Sequence, residues 1–344
     1  MTTMFDEIHQ QPTALRATLE YLDHQVGEIE DVSDQKIQHV LLIGRGTSDN
    51  VCNYAQYIFP VVAGRLATSF SPSVATSLKS DVPLENTLVI AVSQSGSTTE
   101  IVDSVLWARS NGARTIGVTN VEGSALTDAV DLALVTPAGV EHAVPATKSY
   151  TSALLTMAMV AGVVGRNMEF RNMLRTVPSV VEAQLASAQR PEEFLDVLLN
   201  ADTAIVAGRG FSFGVAAEIA LKLTETSSIN ARGTSTADLM HGPVAALIKD
   251  LPLILLSTGE QSAFASGVNS IHQRAISAGC RVLMIGPKRA AVTPTRYLPT
   301  ENLPEVISPF ALSVAGQLLA EAHATSLGLD PDNPLGLKKV TETL

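Results

Sequence analysis

The chain has little cysteine, little charge and no basic run, and each shortage removes a class of function. Its 344 residues include two cysteines, Cys52 and Cys280, in neither a disulfide pattern nor metal-ligand spacing, which fits a reducing cytosol. The seven histidines are scattered; no metal and no other cofactor is expected. Formal net charge is −11 with no Lys/Arg-rich run to break it, so nucleic acid is repelled. Charged residues make up 17%, against roughly 25% in an ordinary soluble domain. Much of the surface is therefore expected to be covered, most simply in an oligomer. Met1 to Glu7 has neither a basic n-region nor an apolar h-region, and no export signal is read there. The longest uncharged stretch, from Ser149 to Arg166, is about 17 residues, the lower limit for a bilayer span. With Ser, Thr and Gly inside it, it predicts a buried core helix, and the chain reads as cytoplasmic with no membrane attachment.

What is present is a pattern that occurs twice. Apolar runs ending in Gly or Ser alternate with helical periodicity, the mark of βαβ units around a parallel sheet. In the first half His39–Ile43 runs into Gly44-Arg45-Gly46, Thr87–Val92 runs into Ser93-Gln94-Ser95-Gly96, and Arg114–Val118 follows. In the second half Ala204–Ala207 runs into Gly208-Arg209-Gly210, Leu253–Leu256 into Ser257-Thr258-Gly259, and Arg281–Ile285 follows. The landmarks lie 164, 164 and 167 residues apart (208 − 44, 257 − 93, 281 − 114). A near-constant offset in the same order predicts a duplication: an α/β protein of two tandem doubly wound parallel-sheet domains with flanking helices. The expected divisions are an N-terminal helical segment (1–30) with a helix over Gln11 to Gln25 opened by Pro12, a first domain (31–165), a helical connector (166–199), a second domain (200–328) and an extended tail (329–344).

Ligands of open parallel sheets bind outside the carboxyl ends of the strands, and two loops there are rich in hydroxyls. Thr47 and Ser48 follow one strand; Ser93, Ser95, Ser97, Thr98 and Thr99 follow another. A helix cap uses one hydroxyl, so five in seven residues point to anion binding at helix N-termini by a neutral loop. The counterpart loop Ser257-Thr258-Gly259-Glu260 carries a carboxylate, which argues against a second phosphate there. Two other readings fail on spacing: Gly44-Arg45-Gly46 lacks the third glycine of a dinucleotide fingerprint, and Ser93-Gln94-Ser95-Gly96 is not a nucleophile elbow. Further along, the helix from Gly214 places Glu218, Lys222 and Glu225 within roughly 60° of an otherwise apolar face. Charges facing a pocket and a solvated ion-paired stripe explain it equally well. His241-Gly242-Pro243 is expected to open another helix, and such a histidine alone reads as structural; Lys338 and Lys339 alone read as solvent-exposed.

Taken in order, these residues resemble a known family. Glu7-Ile8-His9-Gln10-Gln11-Pro12, Gly46-Thr47-Ser48, Ser93–Gly96, Asn120–Ser124, Ala146–Thr151, Gly208-Arg209-Gly210, Ala220–Glu225, His241-Gly242-Pro243 and Asp332-Asn333-Pro334 are similar to the isomerase half of glutamine-dependent glucosamine-6-phosphate synthase, built from two sugar-isomerase (SIS) domains. The resemblance implies that Thr47, Ser48, Ser93, Gln94, Ser95 and Thr98 hold the sugar phosphate and hydroxyls and that Val144 lines the sugar site. It implies that Glu225 shuttles the proton between C1 and C2, supported by Glu218 and Lys222. His241 becomes the ring-opening acid/base, reaching in from the other subunit of a homodimer, and Lys339, beside Lys338, the Schiff-base lysine. The tail then closes the active site. Two departures stand out: Pro145 and Ala146 differ from the small-residue pattern expected before Thr147-Lys148, and nothing ahead of Glu7 corresponds to the glutaminase domain.

The resulting expectation is an amino-sugar-phosphate isomerase/deaminase that takes glucosamine 6-phosphate to fructose 6-phosphate and ammonia. A fructosamine-6-phosphate deglycase, an ammonia-dependent glucosamine-6-phosphate synthase and a non-catalytic sugar-phosphate sensor are the alternatives. Against the sensor stand the absence of a visible DNA-binding module and the joint presence of Glu225, Lys222, His241 and Lys339.

Overall fold

The apolar runs of the sequence become the inner strands of two parallel sheets. The computed structural model describes residues 1–33, 36–187, 191–287 and 295–339. Its helices are α1 (Thr3–His9), α2 (Gln11–Val32), α3 (Thr47–Ile58), α4 (Pro72–Thr76), α5 (Thr99–Ser110), α6 (Ala125–Ala129), α7 (Lys148–Val164), α8 (Met168–Leu174), α9 (Val177–Ser187), α10 (Phe213–Ser227), α11 (Thr236–Met240), α12 (Ala265–Ala278) and α13 (Ser308–Ser326). The strands are β1 (His39–Ile43), β2 (Leu66–Ser69), β3 (Thr87–Val92), β4 (Arg114–Thr119), β5 (Leu132–Val135), β6 (Thr203–Gly208), β7 (Asn230–Ser235), β8 (Pro252–Leu256), β9 (Arg281–Pro287) and β10 (Arg296–Thr300).

One lobe gathers Gln10–Glu141, Lys148–Pro178 and Lys338–Leu344. Its sheet has the order β2-β1-β3-β4-β5 and is parallel throughout. Every residue of β3 is buried, because helices cover both faces of a central parallel strand; hence its unbroken apolar run. The covering helix α7 is buried at every residue but Val164, so the long uncharged stretch is a core helix. Among the described residues, no helix is long and apolar enough to cross a membrane. Pro12 stands in the first turn of α2, where its missing N–H has no intrahelical partner to lose. That helix continues past Gln25 to Val32.

The other lobe gathers Met1–His9, His142–Thr147 and Ser179–Leu337. Its parallel sheet, β7-β6-β8-β9-β10, repeats the order of the first. The register repeats as well: Leu42 lies opposite Ile90 in one sheet and Val206 opposite Ile254 in the other, at the same offset of 164 residues (206 − 42, 254 − 90). Helix α10 joins the core through Val215, Ile219 and Leu223, among Val206, Ile254 and Ile285 of the sheet and Leu312 and Leu319 of α13. Gly316 makes that approach possible, since a Cβ on it would lie 2.2 Å from Ile219 Cγ1. The described part of Asn167 to Leu199 is mostly helical, in α8, α9 and a 3-10 segment over Pro191–Leu198, with a turn at Arg175 and Thr176. Cys52 and Cys280 are free and buried, and burial pushes both thiols up, away from the thiolate that a nucleophile or metal ligand requires.

The Asp332-Asn333-Pro334 motif is tied to the start of the chain. Asp332 takes the N–H groups of Thr3 and Met4 on its two carboxylate oxygens, each at 2.7 Å, which caps α1, and its carbonyl accepts from the Val144 N–H at 2.9 Å. Asp332→Ala should cost about 1–2 kcal/mol, read as a fall of a few degrees in the thermal midpoint. Asp332→Asn, which keeps one acceptor, should lose less, and an unchanged midpoint in the alanine variant would refute the capping role.

Candidate active site

Strand order reverses between β1 and β3, and at such a switch point ligands bind outside the strand ends. The two hydroxyl-rich loops lie there. Thr47 and Ser48 open α3 at the end of β1, and Ser93 to Thr98 join β3 to α5. Arg45 clasps the loops together, its Nε and Nη2 each 3.0 Å from a carboxylate oxygen of Glu100 in the first turn of α5. Ser93 is buried; Thr47, Ser48, Gln94, Ser95 and Thr98 are half-buried.

These hydroxyls do not cap the helices they precede. Thr98 occupies the N-cap position of α5 without a side-chain capping bond, and its Oγ1 instead lies 3.4 Å from Ser93 Oγ. The N-cap position of α3 is Gly46. Ser95 Oγ accepts from the Ser97 N–H and hydroxyl at 3.3 and 3.0 Å. Among the described residues, the amides of Gln94 and Ser95 donate to no backbone acceptor. Gly96 turns the loop at φ +62°, and a Cβ there would lie 2.1 Å from Ser124 Oγ, so the Asn120–Ser124 motif is the floor on which the loop turns. Hydroxyls and the amides of Gln94 and Ser95 thus lie together beside the N-terminus of α5, donors of a kind that suits an anion.

In the other lobe, the counterpart loop spends its donors on itself. Thr258 Oγ1 donates to Ser262 Oγ at 2.9 Å, which accepts the Phe264 N–H at 3.1 Å, and Glu305 takes the Ala263 N–H at 2.9 Å. The charged stripe of this lobe sits on α10. Lys222 Nζ is 3.4 Å from Glu218 Oε1 and 2.5 Å from Glu225 Oε2. Lys222 and Glu218 are each 1% exposed and Glu225 22%, which rules out the solvated stripe. Burial by itself would lower the Lys222 pKa, but the charges and hydrogen bonds of the two carboxylates outweigh it and leave the pKa above its ordinary value. Lys222 is thus an ammonium at neutral pH, and Glu225 is the one member of the set with access to solvent.

Three other positions differ from expectation or refine it. His241 does not open a helix: it is the C-cap residue of α11, exposed, with its N–H donating to Asp238 at 3.0 Å, because Gly242 at φ +100° turns the chain into a single 3-10 turn. Lys338 is exposed, but Lys339 is not a free surface lysine. Its Nζ lies 2.8 Å from Glu141 Oε2, a carboxylate too far away in sequence for local pattern to reveal. Val144 is half-buried.

The motifs around Val144 also have partners that their spacing does not show. Gln10 Oε1 and the Val140 carbonyl accept from the buried Lys148 ammonium at 2.7 and 2.6 Å, and Gln11 Oε1 accepts from Thr151 Oγ1 at 2.8 Å. Glu7, buried, takes the N–H groups of His142 and Ala143 at 2.5 and 3.3 Å. Glu7 therefore anchors the backbone just before Val144. Among the described residues, no group of three His, Cys, Asp or Glu side chains is placed to hold a metal ion.

Fold and site together define a duplicated doubly wound α/β protein with hydroxyl-rich loops at one switch point and a buried carboxylate–lysine set on α10. Residues 33–162 and 197–278 match the SIS domain, and the chain belongs to that family. It is 31% identical over 98% of its length to a glutamine–fructose-6-phosphate aminotransferase of Methanothermobacter thermautotrophicus, of which it spans 56%; it covers little more than half of such relatives. The C-terminal domain of glucosamine-fructose-6-phosphate aminotransferase from Francisella tularensis shares the fold, with a TM-score of 0.88, 24% identity and coverage of 97% of this chain and 98% of that one. A glucosamine-6-phosphate deaminase of Thermotoga maritima superposes with a TM-score of 0.77 and 25% identity, over 99% of this chain and 100% of that one.

Lys222→Met strands Glu218 as a buried charge without its cation and should destabilise the protein by about 3–5 kcal/mol, measured by denaturant unfolding. Glu225→Gln, at the solvent side, should cost far less; equal costs would contradict the buried arrangement. With its pKa raised on folding, Lys222 contributes stability that is complete below the unfolded value of roughly 10.4 and is lost as pH climbs through the folded value. The wild-type midpoint should therefore fall at alkaline pH by more than that of the methionine variant.

Proposed function

We propose that this protein is a phosphosugar aldose–ketose isomerase acting as a deaminase, converting glucosamine 6-phosphate and water to fructose 6-phosphate and ammonia. The observation that carries the reading is the Glu218–Lys222–Glu225 set, a carboxylate oriented by a buried ammonium, which suits moving a proton between adjacent carbons. The similarity to a glucosamine-6-phosphate deaminase over essentially the full length of both chains favours deamination.

In this reading Thr47, Ser48, Ser93, Gln94, Ser95 and Thr98 bind the phosphate and sugar hydroxyls, turning a non-reacting group into positioning energy, and Val144 bounds the sugar. The enzyme works as a cytoplasmic homodimer in which His241 of the partner subunit passes a proton to the ring oxygen as the ring opens. Glu225 takes the proton from C2 of the open-chain aldehyde and returns it to C1, while a proton passes from the amino nitrogen to O1, leaving a hydroxyl at C1 and an imine at C2. Lys339 displaces ammonia from that imine by forming its own Schiff base with C2, and water hydrolyses the Schiff base to the ketone. The same steps in reverse assemble glucosamine 6-phosphate from fructose 6-phosphate and ammonium.

Ammonia release from glucosamine 6-phosphate, with fructose 6-phosphate detected enzymatically, tests the reading, and Glu225→Gln should lower kcat by about 10²–10⁴-fold. No turnover of any aminohexose phosphate would overturn it. Preferential consumption of fructose-lysine 6-phosphate would move the activity to a deglycase.

A further inference from the structure

Glu141 has no part in the proton transfers above, yet it is among the most heavily engaged carboxylates in the molecule. Its side chain is fully buried. Oε1 accepts the Ser149 N–H at 3.1 Å, and Oε2 accepts the Ser149 hydroxyl at 2.6 Å and the Lys339 ammonium at 2.8 Å. Ser149 is the second residue of α7, so the carboxylate lies at the positive end of a 17-residue helix, where a negative charge is stabilised. The Lys339 side chain is itself 25% exposed.

We propose that Glu141 is the fixed counter-ion of the Schiff base on Lys339, a positioning residue that keeps the imine nitrogen protonated; the proposal rests on the Schiff-base role given to Lys339 above. The chemistry singles out a counter-ion rather than a base. When the amine condenses with C2, water leaves and the positive charge of the ammonium reappears as an iminium on the same nitrogen. Protonation of that nitrogen is what draws electrons from C2 and speeds both proton loss at C1 and attack by water. A carboxylate within hydrogen-bond distance of the nitrogen before and after condensation stabilises the charge throughout. Both of its oxygens are already taken by donors from α7, so it stays in place while the bonds at C2 change.

Borohydride trapping with fructose 6-phosphate tests this. Hydride adds to C2 of the iminium and leaves a stable secondary amine, located by mass spectrometry and quantified from pH 6 to 10. Wild-type protein should be modified at Lys339. In Glu141→Gln, which keeps an acceptor but removes the charge, the alkaline limb of trapping should move down by about one pH unit, with roughly a tenfold loss of adduct there. Glu141→Asp should restore most of it. Identical pH profiles for wild type and the glutamine variant would overturn the counter-ion role and leave the Schiff base intact, whereas no Lys339 adduct in wild type would overturn the Schiff base itself. Should the glutamine variant fail to fold, Ser149→Ala, which removes one of the two donors to Oε2 and loosens the carboxylate, should shift the profile the same way by a smaller amount, and an unshifted profile would count against the proposal.

Discussion

A parallel strand must be covered on both faces, because its crossover connections lay helices on either side of the sheet. Most other features follow from this constraint. It leaves β3 and β8 without a single exposed residue, makes α7 almost wholly buried, and leaves no exposed residue on α13 short of its last two. Long stretches of chain thus have no room for charge, which accounts for a charged fraction of 17%. Polar chemistry is confined to the carboxyl ends of the strands and to single helix faces. There the protein places its hydroxyl loops, its clasp and its buried ion set.

Duplication supplied two copies of that plan, and their divergence is visible at matched positions. Arg45 and Arg209 are 164 residues apart, as are Glu100 and Phe264 (209 − 45, 264 − 100). In one lobe the arginine binds the carboxylate bidentately and ties two loops together. In the other it lies 5.5 Å over the centre of the aromatic ring, an attraction that needs no anion. Gln94 and Ser95 become Thr258 and Gly259, and the donors of that loop turn inward. One copy keeps an open cradle; the other keeps the scaffold and carries its charges on α10.

The inner strands were legible because burial on both faces writes itself as an uninterrupted apolar run. Two of the edge strands leave no such trace: β2 has no buried residue, and β7 reads Asn-Ala-Arg-Gly-Thr-Ser, a sequence indistinguishable from a loop. The site was legible to the extent that it is local. Five hydroxyls in seven residues stand out, and the carboxylate–lysine stripe stands out at helical spacing, although whether that stripe faced water was decided only by packing. Lys339 looked like a surface lysine because its partner Glu141 is almost two hundred positions away, and the Glu7–Pro12 motif showed only the helix opened by Pro12 because its partners at 142, 143, 148 and 151 carry no matching signal. His241 was misplaced by one element, since Gly242 at positive φ ends a helix where a proline two residues on suggested a beginning.

The charge balance bears on how an anion is chosen. A chain at −11 offers no long-range attraction to a phosphate dianion, so encounter is not steered by the field of the whole protein. In the proposed function, selection then falls to contacts made within a few ångströms: the amides of Gln94 and Ser95 and the hydroxyls of the two loops. Such preorganised neutral donors lose little on reorganisation and attract few competing counter-ions. The buried ammonium of Lys222 is no exception, because two carboxylates neutralise it. A positive charge so enclosed adds almost nothing to the potential outside the protein.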